Sequence, residues 1–278
     1  ITLQALLVIT FELILILFFD YESYLPIRMY FLNNNLGDIY TINGNFWKIQ
    51  IRGNALLPFA FFISMIYYEG KKKKFFSGIF LLAILCAGNF AFILGTILFT
   101  VLYYMYKTKW TIQKIAQNSL FGIMFFLIVS IPLFNYFTEV VKYKSIRSNP
   151  IRIDQTKVLI NNMNENLGTI IFGQGLGNVL NVRTQWRDYS GNIYFELQSL
   201  YILNQVGILF FVLYVIVNII FTKYSIKYPQ LLIAYFSYIF YAFFNPYFLD
   251  TNHIVVIIIL LSLKKIFDEK NILNSCYI

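Results

Sequence analysis

Arginine is the residue whose placement in this chain promises chemistry. All six arginines fall in two polar stretches, Arg28 and Arg52 in 20–53, and Arg147, Arg152, Arg183 and Arg187 in 138–193. Lysine is partitioned the other way: twelve of the sixteen lysines sit elsewhere, as Lys71 to Lys74, Lys107, Lys109, Lys114, Lys223, Lys227, Lys264, Lys265 and Lys270. Positive charge of either kind fixes a cytoplasmic loop. Arginine adds a planar fork of donors that grips phosphate or carboxylate through two parallel hydrogen bonds. The arginine-bearing side is therefore expected to meet an anionic ligand. Arg147 and Arg152 flank Asn149-Pro150 and are expected to face one site. Arg52 opens the apolar run IRGNALLPFAFF, where snorkelling at a membrane boundary is the plain alternative. Arg183 and Arg187 surround Trp186, a common interfacial combination.

Acid and base candidates are few. Glu196 lies just inside a strongly apolar helix, where a carboxylate is costly unless it is paired or faces a wet cavity. Helix capping is its bland explanation. His253, the single histidine, stands beside Asp250 and Asn252 at the outer end of the last apolar run. Glu12 lies within the first apolar run and is expected to need a partner from a helix outside this sequence. No grouping of histidine, cysteine and carboxylates has metal-ligand spacing, and Cys86 and Cys276 show no pairing logic. The run GQGLG lacks a preceding strand, so a nucleotide loop is excluded.

These groups have to be positioned by membrane helices. With 59% hydrophobic residues, 13% charged residues and a mean hydropathy of +0.65, the chain reads as a polytopic, all-α membrane bundle. Its charge of +9 is a topology signal, and nucleic acid is an unsuitable partner. Expected spans are 3–19, 54–68, 75–88, 90–106, 117–137, 194–222, 230–248 and 252–267, with a break at Ala87-Gly88-Asn89. The apolar start at Ile1 suggests a fragment that lacks upstream helices. Segment 138–193 then becomes a large extracytoplasmic loop. Within it, Asn149-Pro150 is expected to open a helix and Gly168 to stop it. That helix would aim Arg152 and Gln155 inward on a face shared with Thr156, Leu159 and Met163. After it, IFGQGLGNV supplies glycines for tight turns or close backbone approach, Gly173 and Gly175 among them. Most of the aromatic residues, 20% of the chain, are expected to face lipid or core, while an outer groove lined with tyrosine could stack on sugar rings.

Taken in order, Arg52 before an apolar span, RSNPIRIDQ (Arg147 to Gln155), IFGQGLGN, and FELQSLYILNQVGIL (Phe195 to Leu209) resemble the O-antigen polymerase and ligase superfamily. Within it, the closest likeness is to the Wzy-type polysaccharide polymerases, over roughly residues 50–215. The resemblance implies a GT-C-like glycosyltransferase of the bacterial inner membrane, with its active site facing the extracytoplasmic side. It would join oligosaccharide repeat units carried on undecaprenyl pyrophosphate, without metal or other cofactor, to make O-antigen or capsular polysaccharide. It also implies a flippase and a chain-length regulator as partners. Arg152, Glu196 and His253 become the catalytic candidates, and Arg52, Arg147, Gln155, Gly173 and Gly175 the pyrophosphate- or glycan-binding ones. Two positions depart from the pattern. Glu196-Leu197 stands where ligases carry a histidine-asparagine pair, and Gly88-Asn89-Phe90 where relatives often carry serine-arginine. The first departure favours a polymerase over a ligase. A lipid-linked oligosaccharide flippase is the rival of another class, but it would place charge near mid-membrane and show repeated halves.

Overall fold

The computed structural model describes residues 1–34, 36–42, 46–114, 116–117, 119–120, 138, 150–183, 188, 190–191, 195, 197–245, 247 and 250–276. The chain is mostly helical and divides into two units, 1–106 with 218–278, and 107–217. Arg147, Glu196 and nearly all of the span expected at 117–137 lie outside the described residues.

In the first unit, α1 (Thr2–Phe18) and α2 (Tyr24–Asn33) precede a hairpin of β1 (Gly37–Ile42) and β2 (Phe46–Ile51). Then follow α3 (Leu57–Tyr67), α4 (Gly70–Ala87) and α5 (Phe90–Lys107). The antiparallel hairpin pairs Gly37 with Ile51 and Ile42 with Phe46. It departs from the all-α expectation, and its sequence explains it: GDIYTI and FWKIQI are rich in β-branched and aromatic residues at period two. Ile39, Trp47 and Ile49 are buried, and β2 packs on α1 and α4. Arg28 and Asp38 form a two-point ion pair, Nε to Oδ1 at 2.8 Å and Nη2 to Oδ2 at 3.0 Å, which fixes α2 to β1. Gln4 ties α1 to the entry of α3 by donating to Arg52 O and Asn54 Oδ1, both at 2.9 Å.

The break between α4 and α5 falls at Gly88 (φ 59°) and Asn89, whose Oδ1 accepts from Ala91 N at 3.0 Å. α3 carries the densest core, with Leu57, Phe59 and Phe62 fully enclosed. Phe62 stacks on Phe99 of α5 at 4.4 Å between ring centroids. The tyrosines of α9 (Pro229–Phe243) enter this core rather than an outer groove. Tyr241 donates to Ala55 O at 2.8 Å and Tyr238 to Tyr247 O at 2.9 Å, so each buried hydroxyl is satisfied. Glu12 is 6% exposed, on the face of α1 that holds Ala5, Val8 and Leu15. It is buried within this chain, yet its Oε2 has no hydrogen-bond partner among the described residues.

Among the described residues, two helices are long and apolar enough to cross a membrane: α5, and Gln198–Lys223 within α8 (Gln198–Ser225). A third arises if α1 and the segment Tyr21–Asn33, bent by 119°, count as one span. α3 has eleven residues, about 16 Å of rise, against a hydrocarbon core of about 30 Å. α4 has eighteen residues, but Lys71 to Lys74 take its first turn. α10 (Thr251–Cys276) likewise mixes its apolar start with Lys264, Lys265 and Asp268.

Candidate functional site

The candidate residues divide between the two units. The second contains a helix over 150–163 (α6), a short helix α7 (Leu167–Phe172), and residues 198–217 of α8. On α6, Ile151, Gln155 and Leu159 are buried in steps of four residues, whereas Arg152 is exposed. The expectation that Arg152 and Gln155 both point inward is thus corrected for Arg152. Each residue advances about 100° around a helix, which carries position 152 off a stripe that runs 151, 155, 159. Ile151 and Leu159 pack with Leu180, Val182, Phe195 and Tyr201.

The stop signal is also displaced. α6 ends at residue 163, and Gly168 lies inside α7. Asn166 explains the shift: its side chain accepts from Thr169 N at 2.9 Å while Thr169 Oγ1 accepts from Asn166 N at 3.2 Å. This reciprocal cap starts α7 at Leu167, one residue ahead of the glycine.

The glycine run has a definite task. Inside α8, Gly207 adopts φ 72° and ψ 174°, so the helix is broken there. A break strips carbonyls of their partners, and in an apolar setting they need replacements. The loop after α7 supplies them: Gln174 N donates to Asn204 O at 2.9 Å and Gly175 N to Gln205 O at 3.0 Å. The approach is so close that a Cβ on Gly173 would overlap Gln205 O, and one on Gly207 would overlap Gly173 N. Gly173 and Gly175 therefore serve the loop-to-helix clasp.

Around the clasp runs a seam of amides that sequence patterning did not single out. Asn204 Nδ2 donates to Leu159 O at 3.0 Å and Asn162 Oδ1 at 3.1 Å. Gln174 Nε2 donates to Asn162 O at 2.6 Å and Glu165 Oε2 at 3.1 Å. Tyr201 Oη and Gln205 Nε2 both donate to Asn178 O, at 2.7 and 3.3 Å. The available signal was Asn204-Gln205, two amides inside an otherwise apolar helix.

Arg52 and His253 belong to the first unit. Arg52 is exposed in the turn between β2 and α3, and its carbonyl receives Gln4. His253 is 4% exposed, lying between the rings of Tyr235 and Tyr238 at 5.8 and 5.5 Å. Tyr235 donates to Asn218 Oδ1 at 2.6 Å and meets His253 Nε2 at 2.9 Å. A phenol has one proton, so with the Asn218 amide as found the imidazole Nε2–H is the donor to Tyr235. Asp250 Oδ1 accepts from Asn252 N at 2.8 Å and His253 N at 3.2 Å, capping α10. Burial holds the Asp250 carboxyl above its usual range against those lowering hydrogen bonds. Asp250→Ala should cost about 1 kcal/mol and lower Tm by roughly 2–4 °C, read by thermal unfolding in detergent. An unchanged Tm would remove the cap's role. Arg183 pairs with Asp188 at 3.3 Å, both largely exposed. Among the described residues no group of histidine, cysteine and carboxylates could hold a metal.

No family model, curated protein or solved structure matches the chain.

Proposed function

We propose that this chain is a polysaccharide polymerase of the Wzy type, a polytopic GT-C-like enzyme of the bacterial inner membrane. It transfers a growing glycan from undecaprenyl pyrophosphate to the next lipid-linked repeat unit on the extracytoplasmic face. One observation carries the reading. The helix α6 that carries RIDQ, the glycine loop and QSLYILNQVG of α8 are joined in one unit by hydrogen bonds at Leu159–Asn204, Asn162–Gln174 and Gln174–Asn204, one to two turns beyond RIDQ itself. Three motifs whose order in sequence suggested the family are thus supported as parts of a single packed seam.

The chemistry asks for two things. Charge developing on a lipid pyrophosphate must be stabilised, and exposed arginine at the mouth of such a seam suits that. Arg152 is the described candidate, with Arg147 as helper. A sugar hydroxyl must lose its proton to a base within hydrogen-bond reach, the role given to Glu196. His253, enclosed between tyrosines, is the weaker alternative. Purified chain supplied with lipid-linked repeat units should make polymer, and Arg152→Ala should lower the rate roughly a hundredfold or more. Cells carrying that variant should accumulate single-unit-capped product. Normal chain length in the variant would sink the role of Arg152.

A further inference from the structure

Gln155 is fully enclosed, yet neither its Oε1 nor its Nε2 has a hydrogen-bond partner among the described residues. It sits between Ile151 and Leu159, the two α6 residues that pack with Leu180, Val182, Phe195 and Tyr201. The amides of Asn162, Gln174 and Gln205 nearby are bonded. Asn204 Oδ1 is the second exception, buried and unpartnered although its Nδ2 donates to Leu159 O, one helical turn beyond Gln155. A buried amide with unmade bonds carries the full desolvation cost of its polar atoms. Leucine or methionine would fill the same volume without that cost.

The unused groups are two carbonyl oxygens and one amide nitrogen. A pyrophosphate esterified at both ends, as in a lipid-linked glycan, has no P–OH to donate at neutral pH, so it could use only the one donor here and would face two acceptors. A hydroxyl both donates and accepts, and suits all three groups. We propose that Gln155 and Asn204 bind ring hydroxyls of the glycan, reached when the segment 179–183 lifts from α6. That segment covers the α6 side through Leu180 and Val182, and it hangs from Asn178, whose carbonyl is held by Tyr201 and Gln205. The assignment rests on the polymerase reading for the identity of the glycan, and it moves Gln155 away from the pyrophosphate.

The test uses the full chain in a detergent without a sugar headgroup, with free hexoses and N-acetylhexosamines as probes and inorganic pyrophosphate as the rival probe. Thermal unfolding of the wild type should shift upward with at least one sugar. Gln155→Leu should melt at a higher temperature than wild type without ligand, and bind that sugar about tenfold or more weaker. If the leucine variant does not fold, Gln155→Met replaces it, with the same expectation. A lower basal melting temperature in a folded variant, an undiminished sugar shift, or no wild-type shift with any sugar overturns the proposal. So does a pyrophosphate shift that the variant loses. Sugar binding lost in the variant but no polymerisation by the wild type would sink the polymerase reading alone. Polymerisation at full rate by Gln155→Leu would sink the Gln155 assignment alone.

Discussion

Gly207→Val should leave little folded protein. At φ 72° and ψ 174° the position lies in a backbone region that L side chains rarely enter, at a cost of roughly 1–3 kcal/mol. The larger effect is steric. A Cβ there meets Gly173 N and Ile171 O, and these are backbone atoms that cannot rotate aside. Relief requires the loop to withdraw, which breaks the bonds from Gln174 N and Gly175 N and strands the carbonyls of Asn204 and Gln205. Each stranded buried carbonyl costs about 1–3 kcal/mol. Together these terms rival the ~5–15 kcal/mol that separates folded from unfolded domains. Size-exclusion profile and thermal unfolding are the measurements, with Gly207→Ala as the milder companion. If α8 were simply a continuous helix, alanine would instead stabilise it by roughly 1 kcal/mol. A Gly207→Ala protein that melts higher than wild type would therefore disprove the clasp.

The contrast between those outcomes shows what sequence could and could not convey. Hydrophobic runs mark helices because burial of apolar faces drives both, so α1, α5, α9 and the break at Gly88 were visible in the pattern. Gly207 was not, since a glycine in an apolar run looks the same whether the helix bends there or merely packs closely. Only the partner, Gly173, gives it meaning, and that contact spans thirty-four positions that carry no periodic signal. Gly168 misled for a related reason: a glycine stop and a side-chain cap compete locally, and Asn166 with Thr169 won. The hairpin over Gly37–Ile51 had the right residue types, but its alternation is short and lies in a segment that a membrane reading treats as loop. For the candidate site, Gln155 was legible as a polar group on a helix face, while its isolation from partners depends on three-dimensional packing. Arg152 was legible as a charge but its outward direction was not, because the phase of the buried stripe is set by Ile151, Gln155 and Leu159.

Glu196→Gln should reduce polymerisation by a hundredfold to ten-thousandfold, the range roughly expected when a general base is lost. Several rival carboxylates are already engaged in structure. Asp38 holds Arg28, Glu165 accepts from Asn162 and Gln174, Asp188 pairs with Arg183, and Asp250 caps α10. His253 gives its Nε2 to Tyr235 within a stack of rings. Glu196 precedes α8 by two residues and belongs to FELQSLYILNQVGIL, one of the motifs on which the proposed polymerase reading rests. Glutamine keeps the shape and the accepting oxygen and removes the basicity. Single-turnover assays with lipid-linked repeats should therefore show a slower chemical step with substrate binding retained. If Glu196 is instead a helix cap, glutamine will serve nearly as well, and the variant will make polymer at close to the normal rate. That result would transfer the search for a base to His253, where His253→Ala must then abolish turnover without unfolding the Tyr235–Tyr238 stack.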